Sequence, residues 1–94
     1  MLPFKSNFIK IDGLKYHYVD ENPGNKNKKT IIFLHGNPTW SYYYKNLTLA
    51  LREGYRVIVP DHIGCGLSDK PQDYDYTLQN HVENLEKLVQ HLDI

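Results

Sequence analysis

Two stretches of this 94-residue chain hold residue types that could do chemistry. The first is His35-Gly36-Asn37-Pro38-Thr39-Trp40, directly after the apolar run Thr30-Ile31-Ile32-Phe33-Leu34. Gly36 lets the backbone approach a bound group closely. Backbone N–H groups in such a loop can point at a developing oxyanion. Asn37 adds a side-chain amide with two donors. Pro38 pre-sets a helix entry and carries no N–H of its own. The plainer alternative is a strand-to-helix turn in which Gly36 and Pro38 are punctuation. Residue types and spacing leave both readings open.

The second stretch runs from Pro60 to Pro71 and contains two false leads. Gly64-Cys65-Gly66-Leu67-Ser68-Asp69 lacks the third glycine of a dinucleotide fingerprint, and Pro71 blocks the helix that should follow. Gly66-Leu67-Ser68 begins like a nucleophile elbow, but Lys70 takes the place of the second glycine. Ser68 therefore reads as a loop hydroxyl. Cys65 has no cation fixed beside it and reads as a small structural residue. The five histidines, His17, His35, His62, His81 and His91, show no i, i+3 or i, i+4 pairing. Hence no metal site and no cofactor is expected. His81 and His91 fall off the apolar stripe of their helix and read as surface.

The elements that must position these residues follow from periodicity. Asn7 to Ile11 and Tyr16 to Val19 flank Asp12-Gly13, a strong hairpin signal. Glu21 to Lys29 is a polar surface loop. Thr30 to Leu34 reads as a strand buried on both faces. A helical pattern opens at Pro38-Thr39, with Trp40, Tyr43 or Tyr44, Leu47 and Leu51 on one face, and stops at Gly54. Arg56 to Val59 is the next strand, ended by Pro60-Asp61. Thr77 to Leu92 is an amphipathic helix whose stripe is Leu78, Val82, Leu85, Leu88, Val89 and Leu92, with Thr77 as its cap. The order is hairpin, strand, helix, strand, helix: an α/β fold with a parallel strand pair. The last helix has no strand to return to, so the three-layer sandwich is expected to be incomplete.

Composition narrows the class. Eleven basic and 11 acidic residues give a net charge of zero and a pI near 7.0. That excludes a uniformly basic nucleic-acid surface and a polybasic membrane patch. Apolar residues at 40% and charged residues at 23% are ordinary globular usage, which argues against disorder throughout. One cysteine closes no intrachain disulfide. No run is long enough to span a bilayer, and no leader pattern is visible near Met1, so the expected compartment is the cytoplasm. A chain of this size buries only about 60–65% of its unfolded surface, enough for a core only if the core is complete.

The segments His35-Gly36-Asn37-Pro38-Thr39-Trp40-Ser41, Arg56-Val57-Ile58-Val59-Pro60-Asp61 and Gly64-Cys65-Gly66-Leu67-Ser68-Asp69-Lys70-Pro71 together resemble the N-terminal part of the α/β-hydrolase fold. More narrowly they resemble the haloalkane dehalogenase group. Pro60 to Pro71 and Tyr74 to Leu78 look most like the β-lactone decarboxylases of olefin biosynthesis, which convert a cis-dialkyl β-lactone to an alkene and carbon dioxide. The resemblance covers Thr30 to Ile94; residues 1–29 fit by strand placement.

It implies that Asn37 belongs to the oxyanion hole through its backbone N–H. Its side chain would stabilise a leaving halide or the equivalent lactone oxygen. His35, Gly36, Pro38 and Trp40 are implied as its support. The family's nucleophile, an aspartate on an elbow after the next strand, and its acid and base are not found in residues 1–94, and Asp61 matches a loop position instead. The chain is thus expected to be the N-terminal portion of one α/β-hydrolase domain, 1–94, cut before the nucleophile strand. Its expected partners are a small hydrophobic substrate and the missing C-terminal portion or a complementary chain, with no nucleic acid and no membrane span. The alternatives are half of a split enzyme and a non-catalytic interaction module built on the half-fold.

Overall fold

The computed structural model describes residues 3–23, 29–35 and 44–94. Strand β1 (Asn7–Ile11) and strand β2 (Leu14–Glu21) form the hairpin. Asp12 and Gly13 both take positive φ, 51° and 81°, as a two-residue turn matched to strand twist requires. The register runs from Asn7 opposite Tyr18 to Ile11 opposite Leu14. Strand β3 (Thr30–Ile32), helix α1 (Lys45–Leu51), strand β4 (Arg56–Pro60) and helix α2 (Leu78–Leu92) follow.

The sheet order is β1-β2-β4-β3. The hairpin joins β4 antiparallel, and β3 lies parallel to β4 as the strand-helix order implies. Arg56 ties β4 to β2 by a bidentate pair with Asp20, Nε to Oδ1 at 3.0 Å and Nη2 to Oδ2 at 2.8 Å. That hydrogen bonding pushes the guanidinium pKa further up and keeps it charged.

Strand alternation sends side chains to two cores. Val19, Val57 and Val59 point to one face with Phe4, and Tyr44 and Leu51 of the α1 region pack on them. Ile11, Tyr16, Tyr18 and Ile58 point to the other, under Leu85, Leu88 and Leu92 of α2. The sheet is thus sandwiched between the two helices. Thr77 caps α2 as its sequence suggests, its Oγ1 accepting from Asn80 N–H at 3.1 Å.

Three burial expectations change. β3 is half-buried, not buried on both faces, because among the described residues only β4 flanks it. On α1 the inward residue is Thr48, and Leu47 is half exposed. Thr48 tolerates burial because its hydroxyl donates to the Tyr44 carbonyl at 2.9 Å. On α2 the stripe is buried only toward its C-terminal end, with Leu78 79% and Val82 46% exposed.

Leu34, Leu78 and Val82 therefore stand exposed around the edge of β3 that no described strand covers. An open strand edge beside apolar surface is a template for association. The isolated 94-residue chain is expected to self-associate. Light scattering after size exclusion checks this. A monomer with one sharp unfolding transition would show the core to be sufficient by itself.

Candidate active site

His35 lies just past the end of β3, and Asp61, His62 and Ile63 just past the end of β4. In an open sheet with parallel strands, the carboxyl ends of those strands are where ligands are met. Both loops are fixed by buried polar contacts rather than by packing alone.

Asp61 is the centre of that fixation. It is fully buried, and its Oδ2 accepts from His17 Nδ1 at 2.7 Å and from Leu67 N–H at 3.2 Å. Gly66 lies directly over the carboxylate at φ 53°, and a methyl group there would collide with it. A carboxylate held this way orients a loop and cannot reach a substrate. Asp61 is a structural acid, in keeping with the loop position implied by the resemblance.

Ser68 completes the same cluster. Its Oγ accepts from His17 N–H at 2.8 Å and donates to the Asp61 carbonyl at 2.6 Å. Serine, histidine and aspartate thus lie together without forming a triad. The hydroxyl proton goes to a backbone carbonyl, so no base activates Ser68. Burial pushes the Cys65 thiol pKa up, with Asp61 adding to the effect and Lys70 opposing it. Cys65 therefore stays a thiol near neutral pH.

His35 is buried, and its Nε2 accepts from His62 N–H at 3.0 Å. An accepting Nε2 places the neutral ring's proton on Nδ1. The same nitrogen is 3.9 Å from Asp61 Oδ1, too long for a hydrogen bond. One peptide N–H therefore links the end of β3 to the end of β4 and sets where the chain departs toward Gly36. Gly36, Asn37, Pro38 and Trp40 lie outside the described residues.

A groove of about 400 Å³ opens beside His35. His62, Cys65, Tyr76 and His81 are among the residues that line it. His81, read from the sequence as surface, instead turns a buried Nδ1 inward. His62 and His81 were not singled out by sequence because the groove joins loop and helix positions far apart in the chain. Proximity of His62 to the strand end was the one available signal. Burial, with His35 and His81 beside it, lowers the His62 pKa to about 4. Burial likewise lowers His81, with a smaller effect from His35. Among the described residues no cluster of histidine, cysteine and carboxylate groups is placed to hold a metal ion.

A mixed sheet between two helices, with its polar cluster at the carboxyl ends of the parallel pair, defines an α/β protein with a candidate site on its strand-end loops. The family model described as "alpha/beta hydrolase fold" matches residues 29–94, and the chain belongs to that family. It is 50% identical over 96 residues to a cis-3-alkyl-4-alkyloxetan-2-one decarboxylase of Shewanella oneidensis, covering 100% of this chain and 29% of that protein. It is 36% identical over 94 residues to haloalkane dehalogenase 2 of Mycobacterium tuberculosis, covering 100% of this chain and 32% of that one. The tetrameric haloalkane dehalogenase DpaA of Paraglaciecola agarilytica superposes with a TM-score of 0.88 at 34% identity, over 99% of this chain and 33% of that chain. The chain thus spans about a third of the length of these relatives. Among the described residues no helix is long and apolar enough to cross a membrane.

Proposed function

We propose that residues 1–94 are the opening portion of a single α/β-hydrolase domain whose whole acts on a cis-β-lactone, with an alkyl halide as the second candidate substrate. The observation that carries this reading is the placement of His35. It is locked through His62 N–H at the carboxyl end of β3, immediately before Gly36 and Asn37 in sequence. That placement suits an oxyanion loop. Asn37 supplies a backbone N–H and a neutral amide where negative charge develops, with His35, Gly36, Pro38 and Trp40 in support. Identity of 50% to the decarboxylase, against 36% and 43% to two haloalkane dehalogenases, favours the lactone.

The nucleophile is an aspartate that the remainder of the domain supplies, and with it the acid and base. In covalent carboxylate catalysis the aspartate attacks carbon and the departing oxygen or halide takes the bond's electron pair; a lactone's freed carboxylate later leaves as carbon dioxide, the C–C pair forming the alkene as the aspartate–carbon bond breaks. Asn37 then donates to that departing group. The remainder of the domain, on the same chain or on a second one, seats against the open edge of β3.

The pure 94-residue chain is accordingly expected to show no loss of lactone and no release of bromide from a bromoalkane. Both are measured directly, by mass spectrometry and by halide titration. Turnover that disappears in Asn37→Ala would show that these residues are catalytic without the rest of the domain. Turnover lost instead in Ser68→Ala or Cys65→Ala would place the chemistry in the second loop.

A further inference from the structure

The groove beside His35 holds a feature that the proposed reaction leaves unused. Three imidazoles from three separate elements lie in a row: His35 after β3, His62 after β4 and His81 in the first turn of α2. The His35 and His62 ring centroids are 4.6 Å apart with planes tilted by 51°. Those of His62 and His81 are 4.5 Å apart and stacked at 28°. We propose that this row is a proton-sensitive latch, which holds the first turns of α2 against the strand-end loops at neutral pH and lets them go on acidification.

The packing around it supports a latch at this point. Leu78 and Val82 of the first α2 turns are largely exposed, and His81, with Leu78 beside it, faces the loops across the groove. The Thr77 cap and the Asn80 side chain, which donates to the Asp75 carbonyl, hold the helix start to its own loop rather than to the sheet. Farther along, Leu85, Leu88 and Leu92 belong to the core. The N-terminal part of α2 can therefore separate while the C-terminal part stays docked.

Protonation breaks the latch for two reasons. The Nδ1 atoms of His62 and His81 are buried without a hydrogen-bond partner among the described residues. A proton placed on either has no acceptor and little solvent. Each added charge also faces its neighbours across less than 5 Å, where neutral rings attract and cations repel.

The other groups around the row do not reverse this. The Asp61 carboxylate favours a charge on His62, but it already accepts from His17 and Leu67, and the opposing effect of burial is larger. Cys65 and Tyr76 face the groove as a thiol and a phenol, which acidification leaves neutral. The Lys70 ammonium is turned to the carbonyls of Gly66 and Ser68.

The direction follows by linkage. Closed, His62 titrates near 4; released, it returns toward its ordinary value of 6.5. A depressed histidine refuses in the closed state the proton that the open state accepts. Closure is therefore fully favourable above the open-state value and weakens as pH falls toward the closed-state value. Between about pH 7 and about pH 5 the opening constant should rise at least about tenfold, allowing for solvent screening at a half-buried site.

Hydrogen exchange on this chain joined to the remaining domain of the Shewanella oneidensis relative tests this, with labelling times scaled to the chemical exchange rate at each pH. Amides of Val82 to Glu86, which close the first turns of α2, should lose at least about tenfold in protection between about pH 7 and about pH 5, while β2 and β4 keep theirs. In His62→Gln with His81→Gln the same amides should show one protection level across that range. If that variant fails to fold, His81→Phe keeps a stacked ring without a titrating nitrogen, and should halve the pH response or better. Protection that is flat in the unaltered chain, already absent at neutral pH, or lost together with β2 and β4 would overturn the latch. None of these outcomes depends on turnover, so the latch and the enzymatic reading fail separately.

Discussion

Asn37→Ala is expected to lower kcat of the completed enzyme about 10²–10³-fold and to leave its melting temperature almost unchanged, because losing one preorganised donor removes roughly 3–4 kcal/mol of transition-state stabilisation. The completed enzyme here means this chain joined to the remaining domain of the Shewanella oneidensis relative. The effect is specific to the transition state: the departing oxygen or halide gains charge only as its bond breaks. A donor held in place beforehand is worth most at that moment, and little in the ground state. An asparagine that merely punctuated a strand-to-helix turn would cost about 0.5 kcal/mol or less in stability and nothing in rate. Rates with a cis-β-lactone and with a bromoalkane, alongside a melting curve, separate the two. The substrate on which the loss is larger is the one whose leaving group Asn37 serves. Unchanged turnover on both would remove Asn37 from the site.

Asp61→Ala is expected to have the opposite signature and to destabilise the fold strongly. The carboxylate is fully buried and receives His17 Nδ1–H at 2.7 Å and Leu67 N–H at 3.2 Å. Removing it strands both donors in a dry interior and leaves a hole beneath Gly66, whose backbone lies against the carboxylate. Leaving a buried donor without its acceptor costs about 1–3 kcal/mol for each of the two. A small domain has about 5–15 kcal/mol in total, so little folded material should survive in a chain this short. Asp61→Asn keeps the shape and one acceptor oxygen and should lose roughly half as much, as a buried hydrogen bond to a charged group is worth about 1.5–3 kcal/mol. Urea melts followed by circular dichroism measure both. A near-normal midpoint for Asp61→Ala would mean that the His17–Asp61 cluster does not organise the second loop.

Local chemistry was readable from the sequence, and chemistry made between distant segments was not. The Asp12-Gly13 turn and the Thr77 cap depend on two to four consecutive residues, and both form where the sequence places them. Thr30 to Leu34 is apolar enough to announce a strand, but its burial depends on what lies along its second edge. An apolar run carries no record of whether that neighbour is present, so β3 was expected buried and is only half so. Leu47 and Thr48 exchange places because the Tyr44 carbonyl satisfies the threonine hydroxyl, a contact hidden in a hydropathy pattern. The resemblance located Asp61 in a loop. Its partner His17 comes from the hairpin, where a histidine between tyrosines gives no sign of pairing. The row of His35, His62 and His81 is tertiary in the same way: three single residues on three elements, with no periodicity among them.

We propose that these residues form the opening portion of a lactone-processing α/β-hydrolase, with Asn37 at its oxyanion loop. The most direct measurement is turnover of a cis-β-lactone by the chimera in which this chain replaces the aligned segment of the Shewanella oneidensis decarboxylase, 50% identical to it. A folded chimera should form alkene and carbon dioxide within about tenfold of the parent rate, with that activity abolished by Asn37→Ala. A chimera that folds with the parent's melting behaviour yet converts no lactone, or one whose turnover is indifferent to Asn37→Ala, would contradict it.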